Sequence, residues 1–229
     1  MQRIVCRYRR DVVVSMLGHN EVRQVLLDAV TASGLEIGEG RRMMAMSPPL
    51  PSGATSEAER VVLELLTPCA PGDVRRLLNL HLPDGVYIEG AWSALPGGDE
   101  DNPAALDEAI YDVTWSRVPL AVDIRTAVHD FLQAQDVLLT RRREKKTQVV
   151  NARALVYDVR VLTTRDGFAR VFLTVSVGPQ GSLRPDEFIQ VLGEVPTPDA
   201  VRVHRVALQR SFWRHPSSPR GREGWRRTL

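Results

Sequence analysis

The chain has 229 residues, 43% of them hydrophobic, enough for one large or two small domains with a proper core. Lys and Arg total 30 against 28 acidic residues, so the net charge of +2 gives no global argument for a nucleic-acid or membrane partner and leaves that question to local clusters. Two cysteines, Cys6 and Cys69, rule out a disulfide framework and any Cys-x-x-Cys metal pair, which makes the cytoplasm the expected compartment.

The opening stretch, MQRIVCRYRRDVVVSML, is too short and too Arg-interrupted in its apolar run for a signal peptide, and no stretch reaches the eighteen or so apolar residues that a bilayer span needs. Residues 2–9 alternate and predict a strand. HNEVRQVLLDAVTASGL then spaces Val22, Val25, Leu26, Ala29 and Val30 as a helix capped by Asn20 and stopped near Gly34. LEIGEGRRMMAM and ERVVLELL predict two strands around the loop SPPLPSGATS. PGDVRRLLNLHL predicts a helix with Pro71 in its first turn, and GVYIEGAWSAL a closing strand. The order is β-α-β-β-α-β over residues 1–95.

Residues 96–109, PGGDEDNPAALDEA, predict a linker or surface loop. The pattern then restarts over 110–210. IYDVTWSRV is a strand, and DIRTAVHDFLQAQ a helix from Asp123. DVLLTRRR, TQVVNARALVYDVRVLTT and ARVFLTVSVG are strands, with one of them an extra hairpin strand. A fourth helix starts near Pro185, and AVRVHRVALQRS is the last strand. The expected fold is α+β, two tandem ferredoxin-like halves with antiparallel sheets, each placing both helices on one sheet face and leaving the other face available. Residues 211–229 read as a flexible tail.

PPLPSGATSEAE (48–59), TRRREKKTQVVNARALVYDVRV (140–161), GPQGSLRPDEFIQVLG (178–193) and VRVHRVALQR (201–210) resemble the radical SAM-associated, or radical SAM-linked, proteins of unknown function. That resemblance implies a radical SAM protein as partner. The family's Ser-His-Leu-Asp at the first helix start is replaced here by Gly18-His19-Asn20-Glu21, and its Gly-Phe-x-Pro-x-Pro turn is missing, which leaves any role of that turn without a counterpart. A radical SAM cluster needs three closely spaced cysteines, so this chain is expected to carry no cofactor of its own and any iron–sulfur cluster to come from the partner.

Two segments point to a polyanion. TRRREKKT gathers Arg141, Arg142, Arg143, Lys145 and Lys146 at a hairpin turn; these side chains either displace counterions from phosphates or simply solvate the turn and discourage edge pairing. In SVGPQGSLRPDEF, Gly178 and Gly181 free the backbone, Ser182 is placed to cap the helix, and Arg184 adds charge beside helix N–H groups that can hold an anion. The tail interleaves Trp213, Arg214, Trp225, Arg226 and Arg227, a composition suited to stacking on unpaired bases.

The leading expectation is a non-catalytic accessory that binds RNA or a ribonucleoprotein beside a radical SAM enzyme. A rival is a metal-independent endoribonuclease in which His19, held neutral at a helix start, acts as general base. A third is a protein-interaction scaffold without RNA binding. His81, His129, His204 and His215 lack metal-ligand spacing, and Glu57, Glu59 and Glu64 form no recognisable catalytic pair.

Overall fold

The computed structural model describes residues 1–38, 43–94, 102–116, 123–143, 146–165, 167–178, 181–193 and 200–211. It is a mixed α+β protein whose strands pair mainly antiparallel, with four described α-helices. Two compact units divide it, Met1–Asp107 with Val203–Leu208, and Glu108–Arg202 with Gln209–Leu229. No described helix is long and apolar enough to cross a membrane.

In the first unit β1 (Gln2–Arg10) pairs antiparallel with β3 (Thr55–Leu65) on one side and β4 (Val86–Ser93) on the other, and the short β2 (Met44–Met46) pairs with β3. The strand order is therefore β4-β1-β3-β2. Alternation decides which side chains meet the helices. Ile4, Cys6 and Tyr8 of β1 and Val61, Leu63 and Leu65 of β3 form one core with Val22, Leu26, Ala29 and Val30 of α1 (His19–Ala32) and Val74 and Leu78 of α2 (Pro71–Asn79). Glu21, not Asn20, caps α1: its carboxylate accepts from Gly18 N–H at 2.6 Å, which moves the helix start to His19.

The opposite sheet face is not free. Val5 and Val62 lie on it and are 0% and 1% exposed. The 3-10 turn Pro103–Ala105, started by the Asn102 side chain accepting from Ala104 N–H, packs against β2 and β3, and Pro103 and Leu106 are buried. The described part of the expected linker is thus packed, because its apolar residues cover apolar strand positions. Along β1 and β4 a strip stays in solvent: the Arg9 guanidinium lies 5.3 Å from the Tyr87 ring centroid, and Arg7 pairs with Glu89 at 3.5 Å.

In the second unit β5 (Glu108–Ser116) pairs with β9 (Phe168–Ser176), and β9 with β8 (Val156–Arg165), all antiparallel. Asp123 caps α3 (Ile124–Gln133), accepting from Arg125 N–H at 3.0 Å and from the Thr126 hydroxyl at 2.6 Å. β6 (Leu138–Arg143) and β7 (Lys146–Asn151) form a separate two-stranded hairpin ahead of β8; the one strand expected over TQVVNARALVYDVRVLTT is broken into β7 and β8 by the 3-10 turn Arg153–Leu155, and this break supplies the extra strand. The edge-on Phe131–Phe188 pair, centroids 5.4 Å apart, joins α3 to α4 (Pro185–Val191). The last strand, β10 (Val201–Gln209), gives residues 203–208 to the first unit, where His204 and Arg205 pair parallel with Thr55 and Ser56. The sequence pattern had assigned that strand to the second half alone.

Candidate functional site

The basic hairpin and the glycine loop, 41 residues apart in sequence at Arg141 and Ser182, meet in the second unit. Leu139, Thr140, Arg141 and Arg142 from β6, Ser182 and Arg184 from the loop, and Glu187 and Gln190 from α4 line one cavity of about 290 Å³. Helical spacing explains the members on α4, since Arg184, Glu187 and Gln190 recur every three residues on one side of the helix, whereas on β6 four consecutive residues border the cavity and both strand faces contribute to it.

Arg141 is the floor of this cavity. Its Nε and Nη2 donate to the two carboxylate oxygens of Glu187 at 2.7 and 2.8 Å, and Nη2 also donates to the Ser182 carbonyl. The pair is largely withdrawn from solvent, with side-chain exposures of 17% and 6%. Glu187 also accepts from Arg184 N–H at 2.9 Å. Burial pushes the Glu187 carboxyl up, but the Arg141 and Arg184 hydrogen bonds and both guanidinium charges outweigh it, and the net displacement is below the ordinary glutamate value. Arg141 is therefore a bidentate strut between hairpin and helix and not an open cationic side chain.

Two details correct the sequence reading of the loop. Arg184, not Ser182, occupies the helix N-cap position, and its N–H is held by Glu187 three residues on. The loop amides are also engaged internally, Gly181 N–H with the Gly178 carbonyl and Leu183 N–H with the Ser176 carbonyl. Gly181 answers to packing: its φ is +132° and a Cβ there would stand 2.9 Å from Leu155 Cδ2. Two described N–H groups of the loop are thus taken up internally, and the cationic side chains of Arg142 and Arg184 border the cavity.

Three lining groups are unengaged among the described residues: the exposed Arg142 guanidinium, the Thr140 hydroxyl and the Gln190 amide. Arg184 pairs loosely with Asp186 at 3.1 Å and with Glu187 at 3.5 Å while staying 58% exposed. Arg141, Arg142 and Arg184 face Asp186 and Glu187, which leaves one positive charge in excess. Arg143 and Lys146 are register partners at the hairpin end, their side chains outside what the structure describes; Lys145, Trp213, Arg214, Trp225, Arg226 and Arg227 lie outside the described residues altogether.

His19 belongs to the first unit, as the first residue of α1. Its pKa is displaced downward, by burial first, with Arg10 and Arg23 acting in the same direction and Glu59 against them. Among the described residues no group of three or more His, Cys, Asp and Glu is placed to hold a metal ion.

The residues that sequence reasoning missed are Leu139, Thr140, Glu187 and Gln190. Glu187 accepts from the N–H of Arg184, three residues before it, but with Arg in place of Ser, Thr, Asp or Asn at that position the sequence shows no capping-box signature. In the first unit the unread centre is Arg205, which reaches Glu59 and the Pro48 and Pro49 carbonyls from the last strand.

A family model described as "Uncharacterized protein conserved in bacteria (DUF2344)" matches residues 3–185. No curated protein matches the chain. Among solved structures, a Cbf5-Nop10-Gar1 complex aligns over 88% of this chain and 47% of its own, at TM-score 0.46 and 11% identity. An H/ACA RNP bound to a substrate RNA containing 2'-deoxyuridine gives 88%, 46%, 0.45 and 11%. This chain thus spans less than half the length of the chains it aligns with.

Proposed function

The chain belongs to the family of uncharacterised proteins conserved in bacteria, DUF2344, and we propose that it is a non-catalytic accessory that binds RNA or a ribonucleoprotein and works beside a radical SAM enzyme. The observation that carries the RNA reading is the cavity of about 290 Å³ in which Arg142 and Arg184 stand exposed over a fixed Arg141–Glu187 floor with one positive charge in excess. A phosphodiester carries one negative charge, and guanidinium forks suit its oxygens. The floor is locked by the fold, so the ordering cost of binding falls on the exposed Arg142 and Arg184 side chains alone.

The fold assignment within this proposal is a pair of ferredoxin-like halves. In the first unit the chain order β1-α1-β2-β3-α2-β4 and the sheet order β4-β1-β3-β2 support it; in the second, the antiparallel order β5-β9-β8 supports it together with α3 before β8 and α4 after β9. The radical SAM partner comes from the sequence resemblance. Cys6 is no cluster ligand, since it is 0% exposed and burial pushes its thiol up to about 12. The cluster belongs to the partner in this reading.

The test is fluorescence anisotropy of a labelled, mixed-sequence single-stranded RNA across 50 to 200 mM salt. Affinity falls with rising salt, and Arg142→Ala lowers the logarithmic slope by about 0.7, the loss of one phosphate contact on a single strand. Affinity independent of salt, or a slope unmoved by Arg142→Ala, overturns the reading.

A further inference from the structure

On the first unit we infer a second contact surface for single-stranded RNA, a stacking platform centred on Arg9 and Tyr87; this rests on the RNA reading above and adds a place where bases, not phosphates, are held. β1 and the edge strand β4 pair so that Tyr8 and Ile88 enter the core, which turns the next pair, Arg9 and Tyr87, to the sheet face away from α1 and α2. The Arg9 guanidinium stands 5.3 Å from the Tyr87 ring centroid, and Arg75 of α2 comes within 3.5 Å of the Tyr87 hydroxyl. The ring is 39% exposed between them. A tyrosine ring and a guanidinium plane are both flat surfaces on which an unpaired base of any identity stacks.

Charge along the strip fits a polyanion. Arg7 and Arg9 have acids at 3.5 and 3.7 Å, Glu89 and Asp11, in half-exposed pairs that hold little energy. With Arg75 the three arginines exceed these two acids by one positive charge. Arg60 of β3 adds to it, standing directly opposite Arg7 in register, and a like-charge pair across two strands costs the sheet stability that a bound phosphate returns. Relief matters too. Trp92 shares the face, opposite Val5, and its ring comes within 4.0 Å of the position a Cβ would take on Gly90. Gly90 has no positive φ, and an added Cβ would meet nothing nearer than that ring, so neither conformation nor crowding demands glycine there. The missing side chain leaves the sheet low between Tyr87 and Trp92, as a close-approaching ligand requires.

A labelled mixed-sequence RNA octamer and an abasic octamer, the same sugar-phosphate chain without bases, are titrated into wild type, Tyr87→Ala, Tyr87→Phe and Arg142→Ala, each variant first checked for an unchanged melting profile. Tyr87→Ala weakens the mixed octamer by about fivefold or more, the loss of one stacked base. Its salt slope stays that of wild type, because the ring carries no charge. Tyr87→Phe keeps the ring and keeps the affinity. The abasic octamer, with phosphates but nothing to stack, binds wild type and Tyr87→Ala alike. Equal losses on the two strands, or a loss in Tyr87→Phe as large as in Tyr87→Ala, overturn the platform. No loss in Tyr87→Ala also overturns it and leaves the strip to a protein partner. In wild type, 5-iodouridine placed in the octamer and irradiated crosslinks to Tyr87 or Trp92; crosslinks confined to other residues overturn the assignment without recourse to a variant. Arg142→Ala tests the cavity separately: a salt slope it leaves unmoved, with the Tyr87 loss intact, removes the cavity reading and leaves the platform standing. Failure of both octamers to bind removes the RNA reading and the platform with it.

Discussion

Arg205 and Glu59 form an ion pair at 2.9 Å with side-chain exposures of 0% and 3%, across 146 residues of chain. Around them Arg205 donates to the Pro48 and Pro49 carbonyls at 3.1 and 2.9 Å, and Glu59 accepts from the Ser47 and Ser56 hydroxyls at 3.0 and 2.8 Å. The last strand is thereby tied to the SPPLPSGATS loop of the first unit. Removing one member leaves the other charge buried without compensation, so Arg205→Met lowers stability by about 3–5 kcal/mol. The double variant Arg205→Met/Glu59→Leu recovers part of this, because the orphaned carboxylate is gone. Urea unfolding at neutral pH measures both, and a loss below about 1 kcal/mol in the single variant would sink the assignment.

The glycine of the loop makes a sharper steric test. At a φ of +132°, with 2.9 Å between an added Cβ and Leu155 Cδ2, Gly181→Ala meets strain and overpacking together. The expected cost is about 2–4 kcal/mol, read as a lowered melting temperature. Gly193→Ala, also at positive φ but with nothing within 4 Å, loses less. Equal losses at the two positions would show that conformation alone, and not the contact with Leu155, fixes the glycine.

Much of this arrangement was legible from spacing. Strand alternation gave the core faces of β1 and β3, and Pro71 and Asp123 marked two helix starts where the structure has them. The meeting of residues 141–142 with 182–184 is not written in the spacing, because a hairpin and a loop separated by two long strands share a site through tertiary packing that no local period records. The true role of Arg141 was not readable. A run of arginines looks uniform in sequence, and only the buried Glu187 carboxylate separates the strut from the exposed Arg142. Arg205 was hidden for a similar reason: an Arg in a strand pattern reads as solvent-facing unless its partner, here Glu59, is known to be buried.

His19 gives a pH prediction opposite in flank to its rival role. Its folded pKa lies below the ordinary histidine value, so protonation favours the unfolded chain. Stability contributed by the neutral ring is full above the ordinary value of about 6.5 and declines as pH falls through it toward the folded value. Wild type therefore gains more than His19→Gln between about pH 5 and 7.5 in urea midpoint. In chelator, mixed RNA stays intact with wild type; cleavage lost in His19→Ala would restore the ribonuclease reading.

Glu187→Gln separates the two jobs of the cavity floor. The carboxylate holds Arg141 bidentately from a nearly buried position, and an amide replaces one charged acceptor oxygen by a donor that faces the guanidinium. Stability falls by about 1–3 kcal/mol at pH 7, the range for a lost hydrogen bond to a charged group with its desolvated partner left behind. Because the folded pKa of Glu187 is depressed, that contribution is complete above the ordinary glutamate value and disappears as pH drops through the lower folded one. The wild-type advantage over Glu187→Gln is accordingly constant from pH 8 to about pH 5 and shrinks toward pH 3. RNA affinity moves the other way: one negative charge leaves the cavity, and binding at 50 mM salt strengthens or holds while the fold weakens. If affinity and stability instead fall together at pH 7, measured below the unfolding transition, the carboxylate orders the phosphate-binding side chains directly and Arg142 does not stand apart from the strut.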